Sequence, residues 1–272
     1  MLLRLGGYLG LMRIPNGLIA VASILVASVS ATRSFAPGRP ILLGAAAAFL
    51  ILAGGNALND YFDRGIDAVN KPGRPIPSGR VPRNGALTFA AVLFGCGLGA
   101  SLFLPAGAFA LAVLNTGLLI VYARHSKRML VFANVLVAWM TGSVFLFAGA
   151  ILRRADLPIV VLAASAFFIM MTREILKDIE DLEGDRRAGA STIPIRWGIK
   201  RARTVSSLFA LPAVLVLVPP YAAGDMGGRY LGMVLLAAAA LAASLFLPPG
   251  KAQKVVKGAT LIVLLAFVAG SL

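Results

Sequence analysis

Apolar segments long enough to cross a bilayer recur from one end of this chain to the other, with no stretch of globular composition between them. A membrane-crossing helix takes roughly 17–25 mostly apolar residues. Nine windows meet that need, divided by charged or Pro/Gly-rich breaks: 14–32, 40–62, 85–104, 106–123, 130–151, 156–176, 203–220, 229–247 and 254–271. Mean hydropathy is +0.87 and only 14% of residues are charged, against about a quarter in soluble domains. The expected fold is an all-α integral membrane protein of nine transmembrane helices, forming one domain over residues 1–272. Before the first window, 2–12 reads as an interfacial entry helix, and 19–31 as part of a retained span rather than a cleaved leader.

The charge on the breaks sets an orientation. With the N-terminus in the cytoplasm, 21 of the 26 Lys and Arg residues fall on that side and five (Arg33, Arg39, Arg153, Arg154, Arg229) fall outside. The C-terminus is then expected outside, in a multi-pass protein of the cell membrane. The net charge of +15 is accounted for by this distribution, so it does not indicate a nucleic-acid partner. A single Cys96 and a single His125 exclude disulfide frameworks and Cys- or His-rich metal sites.

The acids are the anomaly. Nine of the 11 lie in or beside two stretches, Asn59-Asp60-Tyr61-Phe62-Asp63-Arg64-Gly65-Ile66-Asp67 and Asp178-Ile179-Glu180-Asp181-Leu182-Glu183-Gly184-Asp185. Both are expected to face the cytoplasm. Asp63 and Asp67 each precede Asp181 and Asp185 by 118 residues, which points to two related four-helix halves plus a ninth helix. On a helix, Asn59, Asp63 and Asp67 project one above another, and a continuous helix would align Asp178, Asp181 and Asp185 in the same way. Two such rows facing each other would repel unless neutralised, and Mg²⁺ takes oxygen ligands of this kind. Basic residues accompany the rows: Arg64, Lys71 and Arg74 after the first, Arg173 and Lys177 before or within the second, and Tyr122, Lys127 and Arg128 between. Carboxylates for metal and cations for phosphate describe a diphosphate site. Asn16 and Asn134, near the cytoplasmic helix ends, are candidates either for helix packing or for a cavity.

At these motifs the chain resembles the UbiA-type intramembrane prenyltransferases. The family's N-D-x-x-D-x-x-x-D signature stands at Asn59-Asp60, Asp63 and Asp67, followed by Arg74-Pro75-Ile76-Pro77-Ser78-Gly79. Its D-x-x-x-D signature stands at Asp181 and Asp185, and its Tyr-to-Lys loop pattern at Tyr122 and Lys127. The resemblance implies nine helices around a central cavity and Mg²⁺-dependent transfer of a prenyl group from its diphosphate. The run from Thr172 to Asp185, with Gly189-Ala190-Ser191-Thr192-Ile193-Pro194-Ile195 after it, is most similar to the archaeal ether-lipid branch. That branch implies geranylgeranylglyceryl phosphate as acceptor.

The expected site then has Asp63, Asp67, Asp181 and Asp185 at its catalytic centre, with Asn59 and Asp178 completing the metal set. Arg64, Lys71, Arg74, Tyr122, Lys127, Arg128 and Lys177 are expected on the diphosphate, and Arg13, Asn16, Asn134 and Arg173 on the acceptor. Tyr61, Phe62, Phe145, Phe147 and Phe168 are candidate walls for the allylic cation. Two alternatives stand beside this. An aromatic acceptor such as 4-hydroxybenzoate would suit the same chemistry. A cation transporter would use acids too, but near the bilayer midplane on broken helices. The partners expected are therefore a prenyl diphosphate, a lipid or aromatic acceptor and membrane lipids.

Overall fold

In lipid, a backbone must satisfy its own polar groups, which apolar segments achieve by coiling into helices. The computed structural model describes residues 2–125, 130–187 and 189–272, and all regular secondary structure among them is helical. Lys127 and Arg128 lie outside the described residues. Eight of the helices are long and apolar enough to cross a membrane, and one shorter apolar helix, Gly228–Ser244, has 17 residues. The nine windows expected above thus correspond to eight long helices and this shorter one.

The chain divides into two compact units. The first comprises Met1–Leu25 and Gly38–Ser126, the second Val26–Pro37 and Lys127–Leu272. In the first unit, α1 (Leu2–Met12) leads into α2 (Ile14–Thr32), followed by α3 (Arg39–Asn70), α4 (Arg83–Ser101) and α5 (Ala106–His125). The apolar window ends at residue 62, and the helix α3 runs on beyond it to Asn70, 32 residues in all. At 1.5 Å per residue it measures about 48 Å, against a hydrocarbon core of about 30 Å. Its last turns, which carry the first acid motif, therefore have length to spare beyond the apolar layer. Along its apolar length α3 packs on α4 and α5. The contact with α4 is close because glycines allow it: a Cβ on Gly54 would meet the Phe94 ring at 2.9 Å, and one on Gly97 would meet Ile51 at 2.7 Å.

The second unit continues with α6 (Leu130–Leu152), α7 (Leu157–Glu180), α8 (Leu182–Arg187), α9 (Ile193–Leu215), α10 (Pro219–Ala222), α11 (Gly228–Ser244) and α12 (Pro249–Ser271). The helix α7 is its centre, packed on α6, α9 and α12. Ala138, Met171, Ile175, Ile179, Ile193 and Ala202 form one buried cluster on its apolar side. Two hydroxyls fasten α7 to α9, with Ser206 Oγ donating to Thr172 O at 3.1 Å and Thr172 Oγ1 to Ser206 O at 3.4 Å. The window expected at 203–220 begins earlier, at Ile193, because a short helical segment precedes the span and meets it at a kink at Gly198, where φ is +82°.

Candidate active site

In the first unit the site is built from the last turns of α3. At 100° per residue, Asn56, Asn59, Asp60, Asp63 and Asp67 fall within an arc of about 100°. The row is already neutralised by arginines. Asp60 is only 3% exposed. Its Oδ1 accepts from Arg13 Nη2 at 2.5 Å and from Arg74 Nη1 at 3.1 Å. The same Arg74 Nη1 lies 2.5 Å from Asp67 Oδ2. Asn59 Nδ2 donates to Asp63 Oδ2 at 3.1 Å, and Arg13 Nη2 reaches Asn59 Oδ1 at 3.4 Å.

Local chain geometry fixes both arginines. Arg13 joins α1 to α2 with φ +49°, a left-handed conformation that costs a non-glycine residue of order 1–3 kcal/mol. Its ion pair with Asp60 offsets that cost. Arg74 sits in a loop closed on itself: Arg74 N donates to Lys71 O, Ser78 N to Arg74 O and Val81 N to Pro75 O, each at 3.0 Å. Gly79 provides the φ of +74° that the turn needs. The loop is pressed under α1, where a Cβ on Gly7 would lie 2.7 Å from Val81 Cγ2. The Pro- and Gly-rich motif is thus a rigid mount for one guanidinium.

In the second unit the acid row is not on one continuous helix, contrary to the expectation. The helix α7 ends at Glu180, Asp181 adopts φ −86° and ψ 3°, and Asp185 belongs to the short α8. Two backbone bonds of 2.9 Å, Asp181 N to Lys177 O and Asp185 N to Asp181 O, carry the chain through the bend. The one-turn spacing survives the break because these bonds keep the helical i to i−4 pattern. Asp178 accepts from Asn134 Nδ2 of α6 at 2.9 Å. Among the described residues no ion pair reaches Asp178.

One turn before Asp178 on α7 is a further charge cluster. Glu174 is 8% exposed, with Arg173 Nη1 at 2.7 Å and Lys177 Nζ at 3.9 Å. Arg173 Nη1 also lies 3.9 Å from Met170 Sδ, while its Nε is buried with no hydrogen-bond partner. A buried donor left unmatched costs about 1–3 kcal/mol.

The other expected residues are placed as follows. Arg64 folds back on its own helix, donating to Tyr61 O at 3.3 Å, and Lys71 is the exposed residue that caps α3. Tyr122 is half-buried in the last turns of α5, and Asn16 is exposed on α2. Tyr61 holds Arg83 through its hydroxyl at 2.9 Å, Phe62 is exposed, and Phe145 and Phe147 are buried within α6. Two residues were passed over in the expected site. Asp60 was quoted in the motif without a role, although it falls on the same helical arc as Asp63. Glu174 was overlooked, although it stands four residues before Asp178, one step down the same face.

The donor set suits a hard cation: carboxylates and one amide oxygen, with no thiolate or imidazole. Among the described residues no three acids converge as a closed cluster. A divalent ion held here would take the rest of its shell from water and phosphate oxygens.

The chain belongs to the UbiA prenyltransferase family, whose profile matches residues 20–268. It is thus an intramembrane prenyltransferase and a multi-pass membrane protein. Digeranylgeranylglyceryl phosphate synthase of Methanopyrus kandleri is 41% identical, over 97% of this chain and 99% of the relative. The enzyme of the same name from Haloquadratum walsbyi is 38% identical over 97% and 94%. A solved structure described under digeranylgeranylglyceryl phosphate synthase in membranes superposes with TM-score 0.86 at 34% identity, covering 98% of both chains. A UbiA homolog from Archaeoglobus fulgidus bound to GPP and Mg²⁺ shares the fold, with TM-score 0.70 at 17% identity.

Proposed function

We infer that this protein transfers a geranylgeranyl group from its diphosphate to the free hydroxyl of geranylgeranylglyceryl phosphate, a step of ether-lipid synthesis. The observation that carries this reading is near-full-length identity of 38–41% to synthases of that name, spanning both motif regions. The match from 20 to 268 supports treating both units as one catalytic domain.

Asn59, Asp63 and Asp67 in one motif, and Asp178, Asp181 and Asp185 in the other, would hold Mg²⁺. When bound, Mg²⁺ supplies charge stabilisation for the departing diphosphate. The chain's own residues do the rest. The loop that mounts Arg74 presents a guanidinium, already beside Asp67, that can turn from carboxylate to phosphate oxygens. Arg64, Lys71, Tyr122, Lys127, Arg128 and Lys177 are further candidates for diphosphate contacts, and Arg13, Asn16, Asn134 and Arg173 for the acceptor. In the transfer, the allylic C–O bond breaks with its electron pair going to diphosphate. The acceptor oxygen forms the ether bond, and its hydroxyl proton passes to the released diphosphate. Apolar helices around the acids keep water from capturing the allylic cation. The lysine- and arginine-rich breaks support a cytoplasmic site and N-terminus, and nine membrane crossings would put the C-terminus outside.

The test is purified protein in lipid nanodiscs with geranylgeranyl diphosphate and Mg²⁺, offered geranylgeranylglyceryl phosphate and 4-hydroxybenzoate in parallel. Digeranylgeranylglyceryl phosphate is the expected product. Transfer to the aromatic acid alone overturns the reading.

A further inference from the structure

Arg173 is a cation whose donors are not used up. Of the five N–H donors of its guanidinium, Nη1 serves Glu174 at 2.7 Å and touches Met170 Sδ, and Nε has no partner. It lies seven residues before the end of α7, about 10 Å along the helix. An ionised pair at that position in an apolar helix is costly to keep without a use. The arginines expected to serve acceptor or diphosphate in the other motif differ: Arg13 is held by Asp60, and Arg74 by both Asp60 and Asp67. Arg173 flanks the acid row, about 40° around α7 from Lys177 and about 140° from Asp178. At 100° per residue, Arg173, Lys177, Glu174 and Asp178 span an arc of about 140° on α7. The side chain retains 25% exposure although Nε is buried, so the terminal Nη groups are the part a ligand can approach.

We propose that Arg173 is the seat of the acceptor's phosphate monoester, and that Glu174 is the positioning residue that aims it. This rests on the glycerophosphate-lipid reading above. A phosphate offers several oxygens to a planar fork, so it can engage donors that one carboxylate leaves over. Glu174, buried between Arg173 and Lys177, fixes the guanidinium on one edge and leaves the other edge to the ligand. Arg173 thereby selects acceptors that carry a phosphate on the glycerol and discriminates against the corresponding alcohol.

The experiment compares geranylgeranylglyceryl phosphate with its dephosphorylated alcohol as acceptors, for wild type, Arg173→Met, Arg173→Lys and Glu174→Gln. The readout is the ratio of kcat/KM for the two acceptors, together with KM for geranylgeranyl diphosphate. Arg173→Met is expected to reduce the preference for the phosphorylated acceptor by roughly 10- to 100-fold. Arg173→Lys should recover part of it, since a lysine restores charge without the fork. Glu174→Gln should lower the ratio less than Arg173→Met, and KM for the diphosphate should stay close to wild type. Equal losses on both acceptors, or a rise confined to KM for the diphosphate, overturn the assignment. If Arg173→Met fails to fold, an unchanged ratio in Arg173→Lys and Glu174→Gln overturns it as well. A wild-type enzyme that does not prenylate the phosphorylated acceptor refutes the functional reading instead.

Discussion

Asp60 and Asp178 stand at the same place in the two acid motifs, 118 residues apart, but the fold treats them differently. Asp60 is buried against two guanidiniums, whereas Asp178 is half-buried and receives a neutral amide from Asn134. In the first motif, Asp60 and Asp67 are therefore already paired with arginines before any ligand arrives. The second keeps Asp178 as an acid without a cation among the described residues. The lesson is that motif spacing identifies where acids will gather but not which of them are already engaged. On the proposed reading, a diphosphate would compete with Asp67 for Arg74 and so couple substrate arrival to exposure of the first row.

The sharpest challenge to the comparison replaces one acid in each motif. Asp63→Ala and Asp181→Ala are each expected to lower kcat/KM for prenyl transfer by about 10³-fold or more, with helix content by circular dichroism unchanged. Normal turnover in either variant would break the idea that both motifs serve one reaction. Next in size is the contrast between the paired positions. Asp60→Asn leaves two arginines facing a neutral group and should cost about 3 kcal/mol of stability, read as a drop in thermal midpoint. Asp178→Asn keeps an oxygen for Asn134 and should cost under about 1 kcal/mol. Equal costs would show that the two motifs are held alike after all. The smallest effect is expected for Asn134→Ala, about 1 kcal/mol, because half-exposed Asp178 can recruit water in place of the lost amide. A larger loss would make Asn134 a structural pillar of the second motif.

Much of this was legible in the chain. Periodic apolar windows announced helices: among the described residues eight of the nine meet a helix long enough to cross a membrane, and the other meets α11, which has 17 residues. The residues of the first motif could be placed on a shared face from spacing alone, because 3.6-residue geometry is local. The second row was read as straight, and the bend at Asp181 was missed because the sequence there contains no proline or glycine at the break itself. Partners were the other blind spot. The ion pair of Arg13 with Asp60 spans 47 residues, and the hydrogen bond of Asn134 with Asp178 spans 44. No local rule reaches across such distances.

By itself, then, the sequence determined an all-helical membrane protein with two acid motifs and the cations of a diphosphate chemistry. Hydrophobic patterning and helical period are short-range properties, so they can be read directly from residue order. Only the tertiary structure decided which partner meets which acid: the cations Arg13 and Arg74 on the first motif, the neutral amide of Asn134 on Asp178, and Arg173 on Glu174. Pairing among buried charges depends on which helices pack together, and that is settled by the whole chain at once.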